Sequence, residues 1–348
     1  MNDWAESNNL NFLRSLAVVL VVACHISVFY GAEKTFGVLG PMGVMLFFVH
    51  TAFVLMQSLG RQADQERLFV PFIIRRWFRI YPLAIFAVLA AVLSHSPQWS
   101  VTTGHVYGTK LSSLDLLDNV ALIQGSFVPL VPSIVGPMWS LPFEVQMYLL
   151  LPAVYVFVRG SSGLKKILLL WLAAALIGTA ANHYIAVRTL FIYAPCFLSG
   201  VLAYKLAERV RPRVESVYWP VLLLAMTVAV TGLPIFGGAV KLWWVVCFLV
   251  GCALPFFKEI SFPAVVKAAR VVARYSYGVY LSHLFCMGVA LERMHQYPLA
   301  ARASVLALLL VLIPVVLYHV IERPFIELGR RLAGGMWYKC GTAVVVSE

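Results

Sequence analysis

Charge is scarce in this sequence, and acidic charge is scarcest. Only 12% of the 348 residues are charged, with 15 Asp and Glu against 27 Lys and Arg. A soluble domain carries about a quarter charged residues, so that class is excluded. Cysteine is sparse too. Cys24, Cys196, Cys247, Cys252, Cys286 and Cys340 show neither metal-ligand spacing nor paired loop positions. Five of them fall in apolar runs, where they read as small buried side chains. Cys24 precedes His25, but neighbours on a helix point about 100° apart, which suits joint nucleophilic work poorly. There is no Walker loop, Ser-His-Asp set, internal repeat or low-complexity stretch. Met1 to Leu10 holds Asp3 and Glu6 but no Lys or Arg, so the basic start of a cleaved signal peptide is missing.

What the chain has is apolar surface, at 61% hydrophobic residues. Runs of spanning length fall at about 12–30, 39–58, 80–95, 141–158, 164–182, 189–206, 216–232, 239–257, 275–293 and 302–321. The expectation is an all-α polytopic membrane protein of about ten transmembrane helices. They would form one transmembrane domain over 1–348, surrounded by membrane lipid, with no appended soluble domain. A net charge of +12 would suit nucleic acid. The basic residues lie between apolar runs, however, which reads as topology, and no nucleic-acid partner is expected. Most Lys and Arg fall on the side of the termini; the other side has Lys34, Lys110, Arg188, Lys241, Arg293 and Arg302. The positive-inside rule then puts both termini in the cytoplasm. Two connections stand out. Segment 60–79 is a basic cytoplasmic stretch ending at the third span. Segment 96–140 is the longest outer loop, and its apolar run Leu114–Leu130 is expected to be a re-entrant or interfacial cap.

Arg14 and His25 sit inside the first apolar run. Eleven residues apart, they share a helix face about 16 Å apart along the axis. Ionisable groups within a span are functional candidates, and an uncharged His25 there is able to accept a proton. Arg14 can also simply snorkel to the interface. Arg76 and Arg79, three apart, share a face at the cytoplasmic mouth of the third span, and guanidinium forks bind phosphate in bidentate fashion. Topology alone would also account for them. Glu144 and Tyr148, four apart, face together near the outer end of the fourth span, either as a site or as an interfacial carboxylate with an aromatic-belt Tyr. Tyr280 and His283 share a face of the ninth span, as do His319 and Glu322 at the end of the last. Helix packing is the plainer reading of both pairs.

Six motifs, in order, resemble the membrane-bound acyltransferase 3 family. Arg14-(ten residues)-His25 is similar to its first-helix Arg-x10-His. Gly43 to Phe53 resembles its Gly-Val-Asp-x-Phe-Phe-Val-Leu-Ser-Gly-Phe. Arg76-Trp77-Phe78-Arg79-Ile80-Tyr81-Pro82 resembles Arg-x-x-Arg-Ile-x-Pro, and Trp139 to Tyr148 resembles Trp-Ser-Leu-x-x-Glu-x-Gln-x-Tyr. Ser276 to His283 and Glu322-Arg323-Pro324-Phe325 match the closing motifs. Departures are Asn11-Phe12 before the first motif, Met45 for Asp, His50-Thr51-Ala52 for Leu-Ser-Gly, and Val145 for a second Glu. They bear on the acceptor more than on the reaction.

The resemblance implies transfer of an acyl group, usually acetyl, from acetyl-CoA to a hydroxyl of a cell-surface or lipid-linked carbohydrate, that is, polysaccharide O-acetylation. The setting is a bacterial inner or plasma membrane, and no bound cofactor or metal is expected. By the same resemblance the catalytic residues are His25, Arg14 and Glu144; the donor is held by Arg76, Arg79 and Arg14; and Tyr148, Tyr280, His283 and Glu322 support them. His25 would act as general base, or form an acyl-histidine, with Glu144 orienting His25 or the sugar. A transporter or flippase using the buried Arg, His and Glu as a substrate or proton path is the rival, and a scaffold subunit is a third reading. Oligomeric state stays open, a homo-oligomer included.

Overall fold

Ser7 caps the first helix by accepting the Leu10 backbone N–H at 3.2 Å, and an almost unbroken apolar run carries the helix on. This computed structural model describes residues 7–62, 69–94, 112–124, 133–184, 189–232 and 240–341. Its helices are α1 (Asn8–Phe29), α2 (Glu33–Phe36), α3 (Leu39–Gly60), α4 (Phe69–Leu93), α5 (Ser113–Ala121), α6 (Leu141–Phe157) and α7 (Gly163–Tyr184). They continue with α8 (Leu190–Ala207), α9 (Tyr218–Gly232), α10 (Val240–Ala253), α11 (Pro263–Met287), α12 (Leu299–Leu317) and α13 (Arg323–Gly341). No strand occurs among the described residues, only an isolated bridge between Val214 and Phe257. The chain is an all-α polytopic membrane protein.

Each of the ten apolar runs lies on a helix. Among the described residues, seven helices are long and apolar enough to cross a membrane. The short apolar helices α9 and α10 fall below that length, and α11 carries Lys267, Arg270 and Arg274 in its first half. The boundaries correct the sequence reading at α4. This helix begins at Phe69 rather than near residue 80, so Arg75, Arg76 and Arg79 belong to the helix and not to a loop. Within the run Leu114–Leu130, residues up to 121 belong to α5, which is opened by a Ser112/Asp115 capping box and packed on α4 through Tyr81 Oη donating to the Ala121 carbonyl at 3.1 Å. Residues 125–130 of that run lie outside the described residues.

α3 is the central helix, largely buried and packed on α1, α6, α8 and α10. Small residues let backbones approach there. A Cβ at Gly43 would run into the Ala17 carbonyl of α1, and one at Gly200 into the Val49 carbonyl. α11 covers the other side of α1, joined by Ser15 Oγ donating to the Ala269 carbonyl at 2.8 Å. α7 and α12 are peripheral and mostly exposed, as expected of helices facing lipid. A π-helical turn over Tyr318–Glu322 joins α12 to α13 and leaves Glu322 buried.

Candidate active site

Between α1, α3, α4, α6 and α11 lies a cavity of about 530 Å³. Five arginines reach it: Arg14, Arg76 and Arg79 inside, and the exposed Arg61 and Arg330 at one end. A single carboxylate, Glu144, lines it with them. Arg14 Nε donates to Ser276 Oγ at 2.6 Å, and the Ser276 hydroxyl donates on to the Ala273 carbonyl at 2.8 Å. Arg76 lies over the Phe72 ring at 5.9 Å, and its buried Nε has no partner among the described residues. Glu144 accepts from Tyr148 Oη and from Thr51 Oγ1, the latter at 3.4 Å. None of Arg14, Arg76 and Arg79 makes an ion pair among the described residues. Glu322 is 2% exposed, does not line the cavity, and leaves Oε1 unpartnered; its charge and that of Glu144 act on Arg14 from a distance. A cluster of poorly paired cations in low dielectric is an unfavourable arrangement until an anion enters.

At its far end the cavity meets Phe47 and Tyr280, edge to face at 5.9 Å between centroids. Tyr280 Oη donates to the Pro137 carbonyl at 2.5 Å and lies 2.7 Å from Ser140 Oγ, which is free to donate to it. A short 3₁₀ turn, Gly136–Ser140, delivers both partners just ahead of α6.

Behind Tyr280 stands His283, at 6.3 Å between ring centroids, and against it His25, at 4.9 Å. Both histidines are buried. His25 Nδ1 lies 2.8 Å from the Val21 carbonyl, and His283 Nδ1 lies 3.0 Å from the Val279 carbonyl. Carbonyl oxygens only accept, so both Nδ1 atoms carry hydrogen. His25 Nδ1–H then also reaches His283 Nε2, 3.2 Å away, which accepts it with its lone pair. The tautomers follow: His25 is left with its lone pair on Nε2, the nitrogen able to take a proton.

The structure thus brings Arg14, Arg76, Arg79, Glu144, Tyr148 and Tyr280 to one cavity, and sets His25 with His283 one side chain beyond it. Arg14 and His25 do share a face of α1, the one toward α11. Glu144 does not orient His25: its partners are Tyr148 and Thr51, because α6 delivers it to the α3 side of the cavity. The side chain hydrogen-bonded to His25 is that of His283. Sequence reasoning missed Ser276 as the Arg14 partner, Arg61 and Arg330 at the cavity end, and His50. His50 is 5% exposed, lines the cavity, and has an unpartnered Nδ1. An unmet buried polar atom costs about 1–3 kcal/mol. Its one signal in the sequence was the departure from the family motif.

Chemically, the site offers a cationic well for an anion and, beyond an aromatic pair, an oriented imidazole base. No curated protein and no solved structure matches the chain. A family model described as an acyltransferase domain does match, over residues 7–320, and the chain therefore belongs to the acyltransferase 3 family.

Proposed function

We propose that this membrane acyltransferase moves an acyl group, acetyl as the usual case, from acyl-CoA to a hydroxyl of a cell-surface or lipid-linked carbohydrate. The observation that carries the reading is the pairing of a cavity whose Arg14, Arg76 and Arg79 make no ion pair among the described residues with a His25 whose tautomer leaves Nε2 as a base. The positive-inside bias argues that Arg61 and Arg330 open on the cytoplasm, where acyl-CoA is made. The setting would be a bacterial inner or plasma membrane.

The donor's phosphates engage Arg14, Arg76 and Arg79, and its thioester reaches the Phe47–Tyr280 end. The roughly 16 Å rise between Arg14 and His25 suits an extended arm carrying the acyl group. His25 Nε2 removes the acceptor hydroxyl's proton as the oxygen attacks the thioester carbonyl. Collapse of the tetrahedral intermediate breaks the C–S bond, and the proton passes from His25 to the departing thiolate. His283 holds the His25 ring throughout. Tyr280 and Phe47 stand between donor and base and must shift for the two to meet.

The test is transfer in reconstituted vesicles. Radiolabelled acetyl-CoA is supplied on one side and candidate glycans on the other, with label and free CoA followed together. Stoichiometric CoA release and glycan labelling support the reading. Folded protein that neither binds acetyl-CoA nor releases CoA would contradict it and favour a transporter.

A further inference from the structure

Three histidines lie within the helices at this site, and one behaves differently. His25 and His283 tie Nδ1 to the carbonyl four residues back on their own helix. His50 sits in α3 with the same option available and does not take it: its Nδ1 is buried without a partner, and the side chain, 5% exposed, lines the cavity. The charges of Arg14 and Arg79, which line the same cavity, act on it. Its depth is telling. His50 lies ten residues before the end of α3, and Arg79 ten residues after the start of α4, each about 15 Å in at the helical rise. Beyond them come Phe47 and Tyr280, then His283 and His25. A ligand with its anionic end at the arginines and its reactive end toward His25 runs through the cavity that His50 lines.

The cavity's other groups define what His50 adds. Guanidinium groups donate hydrogen bonds and accept none. Glu144 is engaged by Tyr148 and Thr51, and Tyr280 by Pro137 and Ser140. An imidazole nitrogen donates or accepts according to tautomer, which suits an amide, carrying N–H and C=O, better than a phosphate. We infer that His50 is a binding contact for the amide-bearing pantetheine arm of the donor, separate from the arginines that take its phosphates. This deepens the acyl-CoA reading and rests on it. Donor recognition then has two parts, charge at the arginines and a hydrogen bond at His50.

The experiment compares wild type, His50→Leu and His50→Asn in the full-length reconstituted protein. Asn places an amide near the position of Nδ1. Two ligands are used: acetyl-CoA, and adenosine 3′,5′-bisphosphate, which has phosphates but no arm. The expected result is an acetyl-CoA KM raised about tenfold in His50→Leu with kcat changed less, and largely restored in His50→Asn. Adenosine 3′,5′-bisphosphate should bind all three proteins alike. An unchanged acetyl-CoA KM in folded His50→Leu overturns the inference while leaving the acyl-CoA reading intact. Equal loss of both ligands overturns it too, by showing a structural role. If wild type binds neither ligand, the acyl-CoA reading itself falls and the inference falls with it.

Discussion

His25 Nδ1 lies 3.2 Å from His283 Nε2, across 258 residues of sequence, and each ring is pinned to its own helix through Nδ1. The expected role of His283 is to position His25, with His25 itself taking the substrate proton. His283→Phe removes the acceptor for His25 Nδ1–H, but the Val21 carbonyl still holds the tautomer. The expected outcome is a kcat loss of about 10- to 100-fold with the acyl-CoA KM unchanged, and substantial recovery in His283→Gln. Steady-state kinetics on the three proteins check it.

His25→Ala has a harsher expectation. Removing the base should lower transfer by about 10²- to 10⁴-fold while donor binding persists, because His25 does not line the arginine cavity. Equilibrium binding alongside kinetics separates the two effects.

The unpaired arginines predict a trade of stability against function. Arg76 has a buried Nε without a partner and no ion pair among the described residues. Arg76→Met removes a poorly compensated cation and keeps the side chain's bulk. The melting temperature without ligand should rise by about 2–4 °C. Wild type should be stabilised by about 2.7 kcal/mol when acyl-CoA is present at a hundred times its Kd, and Arg76→Met far less. Thermal unfolding in detergent, with and without donor, measures both.

At the open end, Arg61 and Arg330 are exposed, and Arg330 pairs with Glu327 at 3.1 Å. Their expected role is capture. Arg61→Gln/Arg330→Gln should slow donor association at low ionic strength, leave kcat unchanged, and match wild type at high salt. Stopped-flow binding at two salt concentrations is the check.

Packing makes a separate prediction. Gly43→Val drives a side chain into α1 at Ala17 and Val21, so folded yield should collapse. Gly334→Ala meets nothing within 4 Å, and its helical position should gain up to about 1 kcal/mol. Size-exclusion profiles and melting curves compare the two.

Much of this was legible from residue order alone. Apolar run length located the helices, and the 100° step put Arg14 and His25 on one face, where the structure finds them pointing to α11. The four-residue spacing of Glu144 and Tyr148 likewise put the two on one face, where the structure finds them hydrogen-bonded. The start of α4 was not legible, because Arg75, Arg76 and Arg79 interrupt hydropathy while the helix runs on through them, with Arg76 and Arg79 turned to the cavity. Nor was the His25–His283 pair. Periodicity orders side chains within one helix, but it does not say which face of α11 meets which face of α1. That is decided by packing, through contacts such as Ser15 to the Ala269 carbonyl. His50 escaped for a related reason: its meaning lies in a hydrogen bond it does not make.

Donor capture and proton removal are expected to reside in separate layers, arginines in one and the histidine pair in the other. The direct measurement is acetyl-CoA binding and single-turnover CoA release by reconstituted wild type, His25→Ala and Arg76→Met/Arg79→Met. Binding without release is expected in the histidine variant, and loss of binding in the arginine variant. Binding lost in His25→Ala, or retained at wild-type strength in the arginine variant, would contradict that separation.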